Sequence, residues 1–101
     1  MATNLVATIT ALEAQAAASL FLSDHLGDRF LASHPTLDAA ANVWRVPVLL
    51  AYPIIGSVGQ TGEILVSATS EEIVSHTSLE KMKAAARRLY EENREAIEAA
   101  F

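Results

Sequence analysis

Apolar and polar positions change period along this chain. Between Thr10 and Gly27 the spacing is helical, with apolar residues recurring through Leu12, Ala16, Leu20 (or Ser19), Leu22 (or Ser23) and Leu26. Thr10 and Glu13 fit a capping box, and Gly27 stands where a glycine ends a helix. From Val43 to Tyr52 the period drops to two: Trp44, Val46, Val48, Leu50 and Tyr52 fall on one face, and Val43, Arg45, Pro47, Leu49 and Ala51 on the other. The first set is uniformly large and apolar and is expected to face the helices. Pro47 has no N–H to donate, so it is expected off a sheet edge or at a bulge; a fully paired central Pro47 would contradict this strand. Gly62 to Ala68 forms a second run, with Ile64, Val66 and Ala68 opposed to Glu63, Leu65 and Ser67. A turn over Thr69–Glu72 leads to a short strand, Ile73–His76. The helical period then returns from Ser78 towards Ala100, with Leu79, Met82, Ala86, Leu89, Asn93, Ile97 and Ala100 in one stripe. Thr77 and Glu80 read as its capping box.

The intervening segments are less regular. Residues 1–9 read as a loose lead-in. Asp28–Thr36 is an edge strand or a loop, with Pro35 interrupting any ladder. Leu37–Asn42 is a turn region, and Asn42 suits a left-handed backbone. Pro53–Thr61 reads as a flexible loop, with Gly56, Gly59 and Gly62 at every third position. Arg87–Glu91, Arg88–Glu92 and Arg94–Glu98 are expected as i,i+4 pairs on the last helix. That helix, of about 23 residues, would run about 34 Å, against about 27 Å for a strand of eight. Its overhang would leave Ile97 and Phe101 uncovered. The predicted architecture is a single α+β domain over 1–101, with a helix over 10–27, a sheet over 28–76 and a helix over 77–101. The sheet is an antiparallel three- to four-stranded meander with the N- and C-terminal helices packed on one face.

Composition narrows the function classes. A chain of 101 residues with 51% hydrophobic and 19% charged content can build one core. The net charge is −5, and all of it lies in residues 1–76, where Arg29 and Arg45 face seven acids; residues 77–101 are balanced. No basic face is implied, which argues against nucleic acid and anionic membrane as partners. The absence of cysteine excludes disulfides and thiolate metal sites. The first positive charge is Arg29, so the start lacks the basic flank of a secretory signal, and the longest apolar run, Val46–Val58, is broken by Pro and Gly. A cytoplasmic location is expected.

The run GEILVSATSEEIVSHT, with Gly62, Val66, Ala68, Glu72 and Ile73 at the matching positions, resembles the strand–turn–strand of PepSY-like domains. Ser67 stands where that pattern has Asp, Ser70 where it has Thr and Glu71 where it has Gly. The VWRVPV run also looks like the Trp-bearing strand of such modules. The resemblance covers about half the chain and does not include the long closing helix. Such modules are mostly regulatory or inhibitory binding domains, and the resemblance implies a small stand-alone bacterial relative of unknown function.

Candidate chemistry is sparse. His25, His34 and His76 lie in different elements without metal-ligand spacing, and His25 between Asp24 and Asp28 reads as a helix-end cation before it reads as a base. No serine sits in a nucleophile motif. The spaced glycines are followed by a strand and no lysine, unlike a phosphate cradle. The glutamates of the last helix are interleaved with arginines, as on a solvated face. No catalytic residue, cofactor or metal ligand is therefore assigned, and an enzyme is not expected. The expected function is a non-enzymatic protein-interaction module, homodimeric or bound to a protein partner, using Arg45 and Glu63 on the sheet and Asn93, Ile97 and Phe101 at the helix tip. Two alternatives stand beside it: an acidic antitoxin or immunity-type partner of a basic toxin, and a small-molecule binding domain using a cup near Trp44 and Tyr52.

Overall fold

The structure, a computed structural model, describes residues 7–100. The chain runs α1 (Ala11–His25), β1 (Phe30–Ala32), β2 (Thr36–Asp38), β3 (Val43–Tyr52), β4 (Gly56–Ser67), β5 (Ile73–His76), α2 (Leu79–Glu92) and α3 (Arg94–Ala99). All strand pairs are antiparallel, in the order β1-β3-β4-β5, and β2 pairs with β3 alongside β1. The fold is α+β. Ala14, Ala18 and Leu22 of α1 and Met82 of α2 share one buried cluster with Val46 and Val48 of β3 and Ile64 and Val66 of β4, so both helices cover the same sheet face. None of the helices among the described residues is long and apolar enough to cross a membrane.

Local chemistry accounts for most of the boundaries. Both hydrogen bonds of the Thr10–Glu13 capping box form, at 3.1 and 2.8 Å. Gly27 ends α1 with φ +90° while its N–H closes on the Leu22 carbonyl. Ser78, not Thr77, caps α2, accepting from the Lys81 N–H at 3.2 Å. Thr77 instead extends the sheet: its N–H donates to the Glu63 carbonyl and its hydroxyl accepts from the Glu63 N–H. The lead-in is not loose where it is described, since the Thr8 and Ile9 N–H groups both bond to the Ala68 carbonyl. Residues 1–6 and Phe101 lie outside the described residues.

Pro47 sits in a central strand, but it is not fully paired. Its carbonyl accepts from the Ser33 N–H at 2.8 Å, so its missing donor points at the β1–β2 side. There the ladder breaks: Ala32 faces Val48 and Thr36 faces Arg45, which leaves one extra residue around His34–Pro35. The segment Asp28–Thr36 is thus an edge strand interrupted where its neighbour cannot donate.

The expected loop Pro53–Thr61 is mostly strand. Only Pro53–Ile55 turns, and β4 begins at Gly56. Two bulges carry an extra residue each on β4, Val58 and Thr61, where the register to β3 shifts. Thr61 is buried and its hydroxyl donates to the Val48 carbonyl at 3.2 Å. Because one extra residue separates them, Gly59 and Gly62 point to the same side. A Cβ at Gly59 would lie 2.6 Å from Leu89, and one at Gly62 would lie 2.8 Å from Thr77 and 2.9 Å from Met82. The glycine spacing therefore serves close approach of α2 to β4.

Two further corrections concern the helices. α1 buries Ala14, Ala18 and Leu22, whereas Leu12 and Leu20 are 74% and 66% exposed. Alanines on the inner face let the helix lie close to the sheet, and the outer leucines offer no polar contrast from which to choose the face. The closing helix is also not continuous. It breaks at Asn93, whose side-chain amide donates to the Leu89 carbonyl at 2.8 Å and whose backbone N–H bonds to Leu89 and Tyr90 carbonyls. Asparagine competes in this way with the regular ladder.

Candidate interaction surfaces

Strand parity places Arg45 and Glu63 on the sheet face opposite the helices. Arg45 stands across from Thr36 on β2 and Leu65 on β4, and Pro47 across from Glu63. The guanidinium reaches diagonally both ways, with Nε 3.0 Å from Asp38 Oδ2 and Nη1 2.7 Å from Glu63 Oε1. One side chain thereby ties three strands. Asp38 also accepts from the Ala41 N–H at 3.2 Å. That backbone donor, with Arg45 second, holds the Asp38 carboxyl below the usual carboxylate range. Asp38 and then Glu63 in turn raise the Arg45 guanidinium above its ordinary value. The triad is half open to solvent and carries two carboxylates for one cation, so this face is weakly acidic. Leu31, 50% exposed, lies opposite Leu49 on the same face, and Leu65 completes an apolar border.

The helix tip is a different case. Ile97 is 3% exposed within the single chain, so it is no free anchor. Asn93 is half-buried and engaged with Leu89. Phe101 falls outside the described residues. Of the residues proposed for interaction, the fold brings Arg45 and Glu63 together and keeps Asn93 and Ile97 apart from them on the C-terminal helices.

Of the cup expected near Trp44 and Tyr52, a cleft lies at Tyr52 and Trp44 stands apart from it. These residues lie eight positions apart on β3, about 27 Å along an extended strand. Trp44 Nε1 donates to the Ile9 carbonyl at 3.2 Å and packs against the core. Tyr52 instead lines a cleft of about 410 Å³ with Phe30 and Leu50 from the sheet and Ala86 and Tyr90 from α2. Arg29, Arg87 and Glu91 stand in the same cleft. The Arg29 guanidinium lies 5.0 Å from the Tyr52 ring centre. Sequence reasoning missed all of these but Tyr52, because Arg29 and Arg87 belong to segments that only the fold brings together.

His25 and His76 both pack against Phe21, a proximity not expected from the sequence. Their rings lie 4.2 and 4.7 Å from the Phe21 ring, and their Nδ1 atoms pair with backbone carbonyls of Phe21 and Thr77. The arrangement is a packing cluster. Among the described residues, no group of three His, Asp or Glu side chains is gathered as a metal site. Comparison with protein-family models, with curated proteins and with solved structures finds no match to this chain.

Proposed function

We propose that this chain is a non-enzymatic protein-interaction module that works through the sheet face left uncovered by its helices. The observation that carries this reading is the pairing of a charge network, Asp38–Arg45–Glu63, with a half-exposed leucine, Leu31, on one face of the sheet. A rigid polar centre and an apolar border suit specific protein contact. The resemblance of Gly62–Ile73 to PepSY-like modules supports the same reading, since those are binding domains. A second copy is the first occupant to test, because a two-fold contact would set the leucines of one copy against those of the other. Sedimentation equilibrium at high micromolar concentration is expected to show a dimer for the natural chain and a monomer for Leu31→Glu. A strict monomer for both would rule out self-association.

The triad's excess carboxylate and the chain's net charge of −5 favour a second reading, the acidic partner of a basic protein. Salt separates the two. Contact with a basic partner weakens steeply as salt rises, whereas leucine-mediated self-association does not.

A further inference from the structure

We infer that the cleft between β3 and α2 binds a small monocarboxylate with a flat apolar body. The cleft is a consequence of unequal lengths. α1 has 15 residues and β3 has 10, which gives about 22 Å of helix over about 33 Å of strand. α1 leads through Gly27 into β1, where Phe30 pairs with Leu50, so the strand continues past the helix end towards Tyr52. α2 lies over β4 beside this uncovered stretch, and the gap between them holds about 410 Å³. That volume is in the range of small-ligand sites. Its walls are the rings of Phe30, Tyr52 and Tyr90 with the buried Leu50 as floor. Aromatic walls and an aliphatic floor suit a planar apolar body.

The charge of the site is the second, independent observation. The chain has five arginines. Arg45, Arg88 and Arg94 are each within 4 Å of a carboxylate. Arg29 and Arg87 make no such pair among the described residues, and both line this cleft. The i,i+4 partner expected for Arg87, Glu91, instead lies 3.6 Å from Arg94. Arg29 lies over the Tyr52 ring, a contact that uses none of its N–H donors. In a chain of net charge −5, two guanidiniums that line one aromatic cleft with no carboxylate partner among the described residues are matched to an anion. Glu91 at the same lip lowers the local charge to about one positive unit, which selects a monoanion over a phosphate dianion. The ligand's ring system would lie between Tyr52 and Tyr90, with its carboxylate between Arg29 and Arg87.

The test uses 2-naphthoate as probe on the full chain, with binding followed by calorimetry and by backbone amide NMR shifts. Binding is expected, with shifts at Phe30, Tyr52 and Tyr90 and none at Trp44. Arg29→Gln and Arg87→Gln should each weaken it about tenfold or more, as loss of a charge-assisted hydrogen bond does. Lys81→Gln, which removes a charge on α2 outside the cleft, should not. Glu91→Gln should tighten binding, a gain that misfolding cannot mimic. The neutral 2-naphthamide should bind more weakly than the acid. No binding at millimolar probe, equal binding of acid and amide, indifference to both arginine variants, or tighter binding of 2-naphthyl phosphate would each overturn the assignment. Because the cleft and the open sheet face lie on opposite sides of β3, Leu31→Glu should leave naphthoate binding unchanged, so this test is independent of the interaction reading.

Discussion

The two faces of the sheet are written by alternate residues of the same strands, and they could hardly be used more differently. On the helix side Val46, Val48, Ile64 and Val66 are fully buried, and Ala14, Ala18, Leu22 and Met82 close over them. One position along, Arg45 and Glu63 keep 43% and 38% of their side chains exposed and spend their charge on each other and on Asp38. The first face holds the fold together through apolar area removed from water. The second contributes little to stability, because exposed ion pairs are screened. A period of two thus separates what stabilises this molecule from what it can present to a partner, and substitutions one residue apart should report on different properties.

The largest effect should come from the buried face. Ile64→Ala or Leu22→Ala leaves a cavity in the fully buried cluster, and should cost about 2–5 kcal/mol in denaturant unfolding. A loss below about 1 kcal/mol would mean that this face is not the core. Next is the seam between sheet and helix. Gly62→Ala puts a Cβ 2.8 Å from the Thr77 Cβ, close to the main chain, with Met82 also in the way. It should cost about 1–3 kcal/mol. Gly59→Ala meets the end of the Leu89 side chain, which can move, but also a φ of +151°, so it should destabilise too.

On the open face the expected stability change is small and the readout shifts. Leu31→Glu should alter unfolding free energy by less than about 0.5 kcal/mol while abolishing self-association in sedimentation. If it unfolds the chain instead, the two faces are not separable. The smallest effect should be the pH response of Asp38. Its carboxyl is held low in the folded state, first by the Ala41 N–H and then by Arg45. A lowered folded value contributes stability that is present above the ordinary carboxylate value and is lost as pH falls through the folded one. Asp38→Asn should therefore flatten the acid limb of a Tm-against-pH curve and leave the curve near neutrality displaced but parallel. An unchanged acid limb would mean that other carboxylates carry it.

Legibility in the sequence followed contrast. α2 could be oriented from its stripe because arginines and glutamates mark its outer side; Met82 and Leu89 are buried as spaced. α1 could not, because alanine and leucine occur all round it. β3 was legible, since Val46, Val48 and Leu50 alternate with Pro47 and Leu49 as the period of two requires. The first half of β4 was not: Gly56, Gly59 and Gly62 look like loop punctuation, and only the bulges at Val58 and Thr61 and the nearness of α2 explain the last two. Of the candidate surfaces, Arg45 and Glu63 were readable from strand parity alone. The cleft was not, because its two arginines come from a turn and a helix at opposite ends of the chain.

By itself, then, the amino-acid sequence determined the local elements: the Thr10 cap, the Gly27 stop, the strand period through Val43–Tyr52 and the apolar stripe of α2. Those depend on groups within a turn or two of one another, where backbone geometry and side-chain chemistry leave few choices. Tertiary structure decided which side of α1 is buried, where β4 begins, that Ile97 is enclosed, and that Arg29 and Arg87 share a cleft. Each of these is set by which surfaces approach closely enough to exclude water, a property of pairs distant in the chain that no local pattern encodes.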